Sequence, residues 1–176
     1  RTASRIISWS WVSSMFVFGC VGVFCVSSPQ PHHEAKGVPS RCRNWPLCAG
    51  VSRANVARMA VEEYGADIIN DVSEGGLTGI TGIPLTPTAE AIPPIFSMMG
   101  RLKVPYILMS VKPTIHDMLL AMAREVQQLR DLGQKDIILD PGFGFGKTQE
   151  QNYDVLREMN RLSTLGLPIL AGMSRK

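Results

Sequence analysis

DIILDPGFGFGKT, residues 136–148, decides how the rest of the chain is read. Ile137, Ile138 and Leu139 form a short apolar run of the length and β-branched content of a buried strand. The run stops at a carboxylate, Asp140, and Pro141 forbids the ladder from continuing. Gly142, Gly144 and Gly146 follow on alternate residues, with Phe143 and Phe145 between them and Lys147 at the end. Thr148 is a plausible N-cap with Gln151 three residues on, which predicts that a helix begins there. The stretch reads strand, binding loop, helix. It is not a P-loop, because the first glycine of G-x-x-x-x-G-K-[ST] would fall on Pro141. Nor is it the dinucleotide fingerprint, since the third glycine comes one residue early.

Working outward, a period appears from residue 50 onward. Gly65, Gly100, Gly133 and Gly166 are separated by 35, 33 and 33 residues. Each is expected to close a helical pattern and precede an apolar strand: EYGADIIN, MGRLKVPYILM, LGQKDIILD and LGLPILAG. Helical repeat arrays share such periods but lack a strand in every unit, so the pattern predicts βα units. Core-facing stripes are expected at Val56, Met59, Ala60 and Tyr64; at Ile115, Met118, Met122, Val126, Leu129 and Leu132; and at Val155, Leu156, Met159 and Leu162. Leu77 to Pro94 is a long Thr/Pro/Gly loop before a short helix.

Parallel strands joined by helical crossovers build an open sheet or a barrel, and ligands gather at the strands' carboxyl ends in both. That singles out Asn70 and Asp71, Met109 to Lys112, Asp140, and Gly172 to Lys176. An amide, a carboxylate and a lysine at neighbouring strand ends suit a flat heterocycle rimmed with donors and acceptors. A carboxylate such as Asp140 accepts two hydrogen bonds side by side, matching an aminopyrimidine edge. Lys176 offers positive charge to a ring oxygen or a leaving phosphate. His116 reads as a solvated residue of a capping turn and Lys147 as either a ligand contact or a surface lysine. Arg175 reads as support for its loop.

Composition, 45% hydrophobic and 19% charged over 176 residues, is that of a globular protein. The net charge of +3 comes from residues 1–49, which hold five basic residues and one acidic; residues 50–176 hold thirteen and fourteen. A near-neutral body without clustered basic side chains excludes nucleic-acid binding. Cys20, Cys25, Cys42 and Cys48 all lie in the first part at spacings that match no zinc module, and residues 50–176 suit a reducing compartment. Ile6 to Val26 is uncharged for 21 residues, long enough for a membrane span or a signal-peptide core. Ser27 to Pro46 reads as linker. Two regions are expected: 1–49, atypical, and 50–176.

Three motifs, GADIINDVS (65–73), LDPGFGFGKT with EQNY (139–153) and GLPILAGMSRK (166–176), resemble dihydropteroate synthases of the pterin-binding barrel family. The resemblance covers about residues 50–176. It implies an α/β fold, a parallel (βα)8 TIM-type barrel, present here in part as about four βα units, strands four to seven. It implies the condensation of hydroxymethyl-dihydropterin diphosphate with para-aminobenzoate, in the cytoplasm, by an enzyme that is a sulfonamide target. On the same ground Asp140 and Lys176 become the catalytic pair, with Asn70 and Asp140 on the pterin ring. Met109 would pack on the pterin, Phe145 and Gly172 would shape the two pockets, and Ser174 would border the aminobenzoate site.

The departures carry expectations too. The Asn that helps bind magnesium and diphosphate in the family's first strand has no counterpart, nor has the Thr-Arg pair of its second. The Asp of the third strand's Val-Asp-Thr turn falls on Gly50, and the usual His-Met-Arg-Gly reads Ser110-Val111-Lys112-Pro113. The sequence ends at Lys176, ahead of the family's Arg-x-His, so poor turnover and a homodimer covering an open half-barrel are expected. Competing readings are a corrinoid-dependent methyltransferase of the same superfold and a non-catalytic, membrane-tethered pterin-binding module.

Overall fold

The structure, a computed structural model, describes residues 6–8, 22–25, 47–75 and 92–172, the first two stretches through their backbone alone. The elements are β1 (Ile6–Ser8), β2 (Gly22–Cys25), β3 (Leu47–Val51), α1 (Ala54–Glu62), β4 (Ile68–Asp71), α2 (Pro94–Leu102), β5 (Tyr106–Met109), α3 (Ile115–Asp131), β6 (Ile137–Asp140), α4 (Gln149–Glu158) and β7 (Ile169–Ala171). A 3-10 turn, Met159–Leu165, continues α4. Among the described residues the strands form one sheet in the order β1-β7-β6-β5-β4-β3-β2. Strands β3 to β7 are mutually parallel and adjacent in chain order, β1 joins β7 in parallel, and β2 pairs with β3 antiparallel.

The helices decide between open sheet and barrel. Leu47, Ala49, Val51, Ile69, Tyr106, Leu108, Ile137, Leu139 and Ile169 share one core with buried residues of α1 to α4. Successive strand residues point to opposite faces, so all these belong to one face, and the four helices pack there. A doubly wound sheet would reverse its strand order and cover both faces. Consecutive parallel strands with helices on one side are a barrel segment. The expected units are β4 to β7 with their helices, and β3 adds a fifth parallel strand. β3 also straddles residues 49 and 50, so the sheet takes in part of the stretch that composition sets apart.

Local signals explain the elements. Thr148 and Gln151 form a capping box, each side chain bonded to the other's backbone N–H, and Thr114 caps α3 by accepting from the Asp117 N–H. Gly65, Gly133 and Gly166 take positive φ where their helices end. Gly100 does not: α2 runs on to Leu102 and Lys103 supplies the left-handed residue. A Cβ at Gly100 would stand 2.5 Å from the Leu132 carbonyl oxygen, so this glycine serves the close crossing of α2 and α3. The α3 stripe lies inward as expected, but the α1 stripe holds only in part: Ala60 is buried and Val56 packs on the core. Ala57 is buried as well, while Met59 and Tyr64 are exposed. Leu156 of α4 also faces solvent. Among the described residues no helix is long and apolar enough to cross a membrane. Within Ile6 to Val26, β1 and β2 are strands and the remainder lies outside the described residues.

Candidate active site

Register places the candidate residues. Gly50 pairs with Asn70, Asn70 with Ile107, Ile107 with Ile138, and Met109 with Asp140. By the same alternation Gly50, Asn70, Met109 and Asp140 occupy the face opposite the helices, the interior face of a barrel. Asn70 and Asp140 are two strands apart, roughly 10 Å sideways and about 7 Å along the strand direction. One bicyclic ring with its substituents spans that gap. The Asn70 Oδ1 is buried and, among the described residues, has no hydrogen-bond partner, an acceptor left for something else on that face.

Asp140 is buried, and its Oδ1 accepts from the Gly142 N–H at 2.7 Å. Burial raises its carboxyl to about 6, against the pull of that N–H and of Lys147. At neutral pH it is therefore mostly ionised, with lone pairs to spare. Met109 is buried beneath the loop. A Cβ at Gly142, where φ is +64°, would come within 2.3 Å of the Ser110 carbonyl oxygen and 3.0 Å of Met109 Cγ. Only glycine allows the loop to press so closely onto the end of β5. Phe145 is exposed on the outer bend, and Gly172 is exposed just past β7 with open space beside it. Ser174 and Lys176, like Arg175, lie outside the described residues.

Behind Asn70 sits a second network. Asp71, fully buried, accepts from the Ser73 N–H (2.9 Å) and hydroxyl (2.6 Å), the Gly75 N–H (2.6 Å) and the Tyr106 hydroxyl (2.5 Å). Burial pushes its carboxyl up while these donors pull it back. The network ties the turn after β4 to β5 and so holds Asn70 at the strand end. Glu74, fully buried at φ +50°, accepts from the Ser110 hydroxyl at 2.6 Å and faces the Lys112 ammonium at 3.5 Å. The sequence's departure at Ser110-Val111-Lys112 thus has a partner in Glu74, which sequence reasoning missed. No local signal marks a buried glutamate in a glycine-rich turn.

Two further side chains hold the loop after β6. Lys147 does not lie free on the surface: its Nζ donates to the carbonyls of Ser110 (2.9 Å), Gly142 (3.1 Å) and Phe145 (3.3 Å). Asn152, part of the EQNY motif, accepts from the Gly144 N–H at 2.9 Å and donates to the Thr148 carbonyl at 2.7 Å. His116 is exposed in the first turn of α3, as expected. Cys48 is a buried free thiol, pushed up to about 12 by burial. Among the described residues no three His, Cys, Asp or Glu side chains are grouped to hold a metal ion.

Comparison with known proteins places this geometry. The family described as pterin binding enzyme matches residues 36–176. A dihydropteroate synthase of Synechocystis sp. is 34% identical over 146 residues, a match covering 74% of this chain and 45% of the relative. A structure of Xanthomonas albilineans dihydropteroate synthase with 4-aminobenzoic acid aligns with a TM-score of 0.60 at 28% identity, covering 74% of this chain and 45% of that one. The same enzyme in complex with 7,8-dihydropteroate aligns with a TM-score of 0.55 at 30% identity, covering 74% and 48%. The chain spans about half the length of the curated relatives it matches. With a family match over most of its length and a barrel segment to fit, the chain belongs to the pterin binding enzyme family.

Proposed function

We propose that the chain is the pterin-holding part of a dihydropteroate synthase, which joins hydroxymethyl-dihydropterin diphosphate to para-aminobenzoate and releases diphosphate. The observation that carries this reading is the shared interior face of Asn70 and Asp140, one a buried acceptor without a partner, the other a carboxylate. The pterin's amino group and adjacent ring N–H would donate to Asp140, with the Asn70 amide turned to the far side of the ring. In the reaction the pterin methylene carbon loses its bond to the diphosphate oxygen, which leaves with the electron pair. The aminobenzoate nitrogen bonds to that carbon and gives up a proton. Such a transfer needs positioning and charge stabilisation rather than a protein nucleophile. An ionised Asp140 beside the ring suits the positive charge that develops on it.

In this reading Phe145 and Gly172 bound the two pockets, Ser174 borders the aminobenzoate, and Lys176 meets the pterin carbonyl. The same reading makes the chain a cytoplasmic, sulfonamide-sensitive enzyme, and the buried free thiol of Cys48 is consistent with a reducing compartment. Calorimetry with hydroxymethyl-dihydropterin tests the proposal. Wild type should bind, Asp140→Asn should bind about 100-fold more weakly, as for a hydrogen-bonded charge, and Asn70→Ala about 10-fold more weakly. Unchanged affinity in Asp140→Asn would refute the assignment. Dihydropteroate formation by the purified chain, measured alongside, reports whether binding leads to turnover.

A further inference from the structure

The Lys147 ammonium has three donors, and three backbone carbonyls take them. Two of those carbonyls, Gly142 and Phe145, belong to the loop after β6; the third, Ser110, closes β5. Nothing is left for a ligand, and no carboxylate forms an ion pair with it among the described residues. Asn152 makes a second stitch from α4 to Gly144. We infer that Lys147 is the positioning residue of this site: its ammonium ties the loop 140–147 to the end of β5 and so sets where Phe145 and the Asp140 carboxylate stand. The inference deepens the pterin reading and, for its effect on ligand, rests on it.

The tie depends on charge state. A neutral amine keeps only two N–H donors, so deprotonation leaves one of three carbonyls unpaired. Burial brings Lys147 down to about 8, against the pull of Glu74 and Asp140. These are the charges that face it: Asp140 on β6, and Glu74 in the turn after β4, with Lys112 at 3.5 Å from Glu74 on the β5 side. The loop should therefore loosen as pH rises through about 8.

Hydrogen exchange and calorimetry on the 176-residue chain test this, comparing wild type with Lys147→Met and Lys147→Arg. Without ligand, the Phe145 amide (bonded to the Gly142 carbonyl at 3.1 Å) and the Gly144 amide should exchange about tenfold faster in Lys147→Met. Hydroxymethyl-dihydropterin affinity should fall by a similar factor, and Lys147→Arg should restore most of both. Wild-type affinity should decline through pH about 8, whereas Lys147→Arg, which stays charged, should not follow it. Exchange in Lys147→Met within twofold of wild type, with its melting temperature retained, would overturn the proposal. So would a parallel decline of wild type and Lys147→Arg, which would trace the pH effect to the ligand. A loop that loosens in Lys147→Met while no variant binds the pterin would uphold the tie and overturn the pterin reading beneath it.

Discussion

Glu125 is only 2% exposed on the inward face of α3, and its Oε2 has no hydrogen-bond partner among the described residues. Burial, with Glu74 adding repulsion and Asp71 a little more, raises it to about 8 against the pull of Lys112 and Arg124. An acid raised in the folded state costs nothing below its unfolded pKa, and its penalty grows from there up to the folded pKa. Between the ordinary glutamate value and about 8 the protein should therefore lose stability, on the order of a few kcal/mol in all. Melting curves across this range should show the loss, and Glu125→Gln should flatten it and raise the melting temperature at the alkaline end by roughly 5 to 10 °C. A variant that melts like wild type throughout would show Glu125 to be neutralised some other way. Asp140, raised to about 6, has the opposite consequence for binding. Pterin affinity should rise with pH through about 6 as the carboxylate ionises, and Asp140→Asn should lack that step. Gly142→Ala adds a Cβ 2.3 Å from a backbone oxygen at positive φ, and should cost about 3 kcal/mol or more in urea unfolding. The sequence marked Asp140 and the glycines because strand, Pro141 and loop announce themselves locally. It could not mark Glu74 or Glu125, whose burial arises only when the turn after β4 meets α3 and β5.

Among the elements, periodicity found α3 with its full inward stripe but only half of the stripe expected for α1, Val56 and Ala60. Met59 and Tyr64 are the larger apolar residues, yet it is Ala57 and Ala60 that are buried in the core, with Met59 36% and Tyr64 57% exposed. A hydrophobic stripe says that a helix has a core face; how closely neighbouring elements approach decides which residues fill it. Met59→Lys should change stability by less than about 0.5 kcal/mol, whereas Ala57→Leu should cost about 1 to 3 kcal/mol, as overpacking does. Denaturant midpoints with unchanged slopes would measure both, and equal effects would reject this burial pattern. Gly100 was misread for a related reason. Its place in the 33-residue rhythm suggested a cap, but the missing Cβ is needed where α2 meets Leu132.

For the whole molecule, the strand ends converge because each βα unit returns the chain to a parallel neighbouring strand, bringing residues 70 apart in sequence onto one face. That convergence was legible from strand count and the three motifs. The sheet's edges were not, since β1 and β2 lie in residues whose composition suggested a span or a linker. The consequence concerns the interior face. Parallel sheets are normally covered on both sides, yet the described helices all pack on one. On the other side Ile68, Ile138 and Leu170 remain half-buried. An apolar face of this kind favours association with a second copy. Sedimentation velocity across a wide concentration range should therefore show a rising weight-average mass, and a saturating pterin should oppose it, since the ligand would occupy the same face. A concentration-independent monomer that binds no hydrophobic dye would mean that the chain covers its own interior face, and the half-open barrel would have to be abandoned.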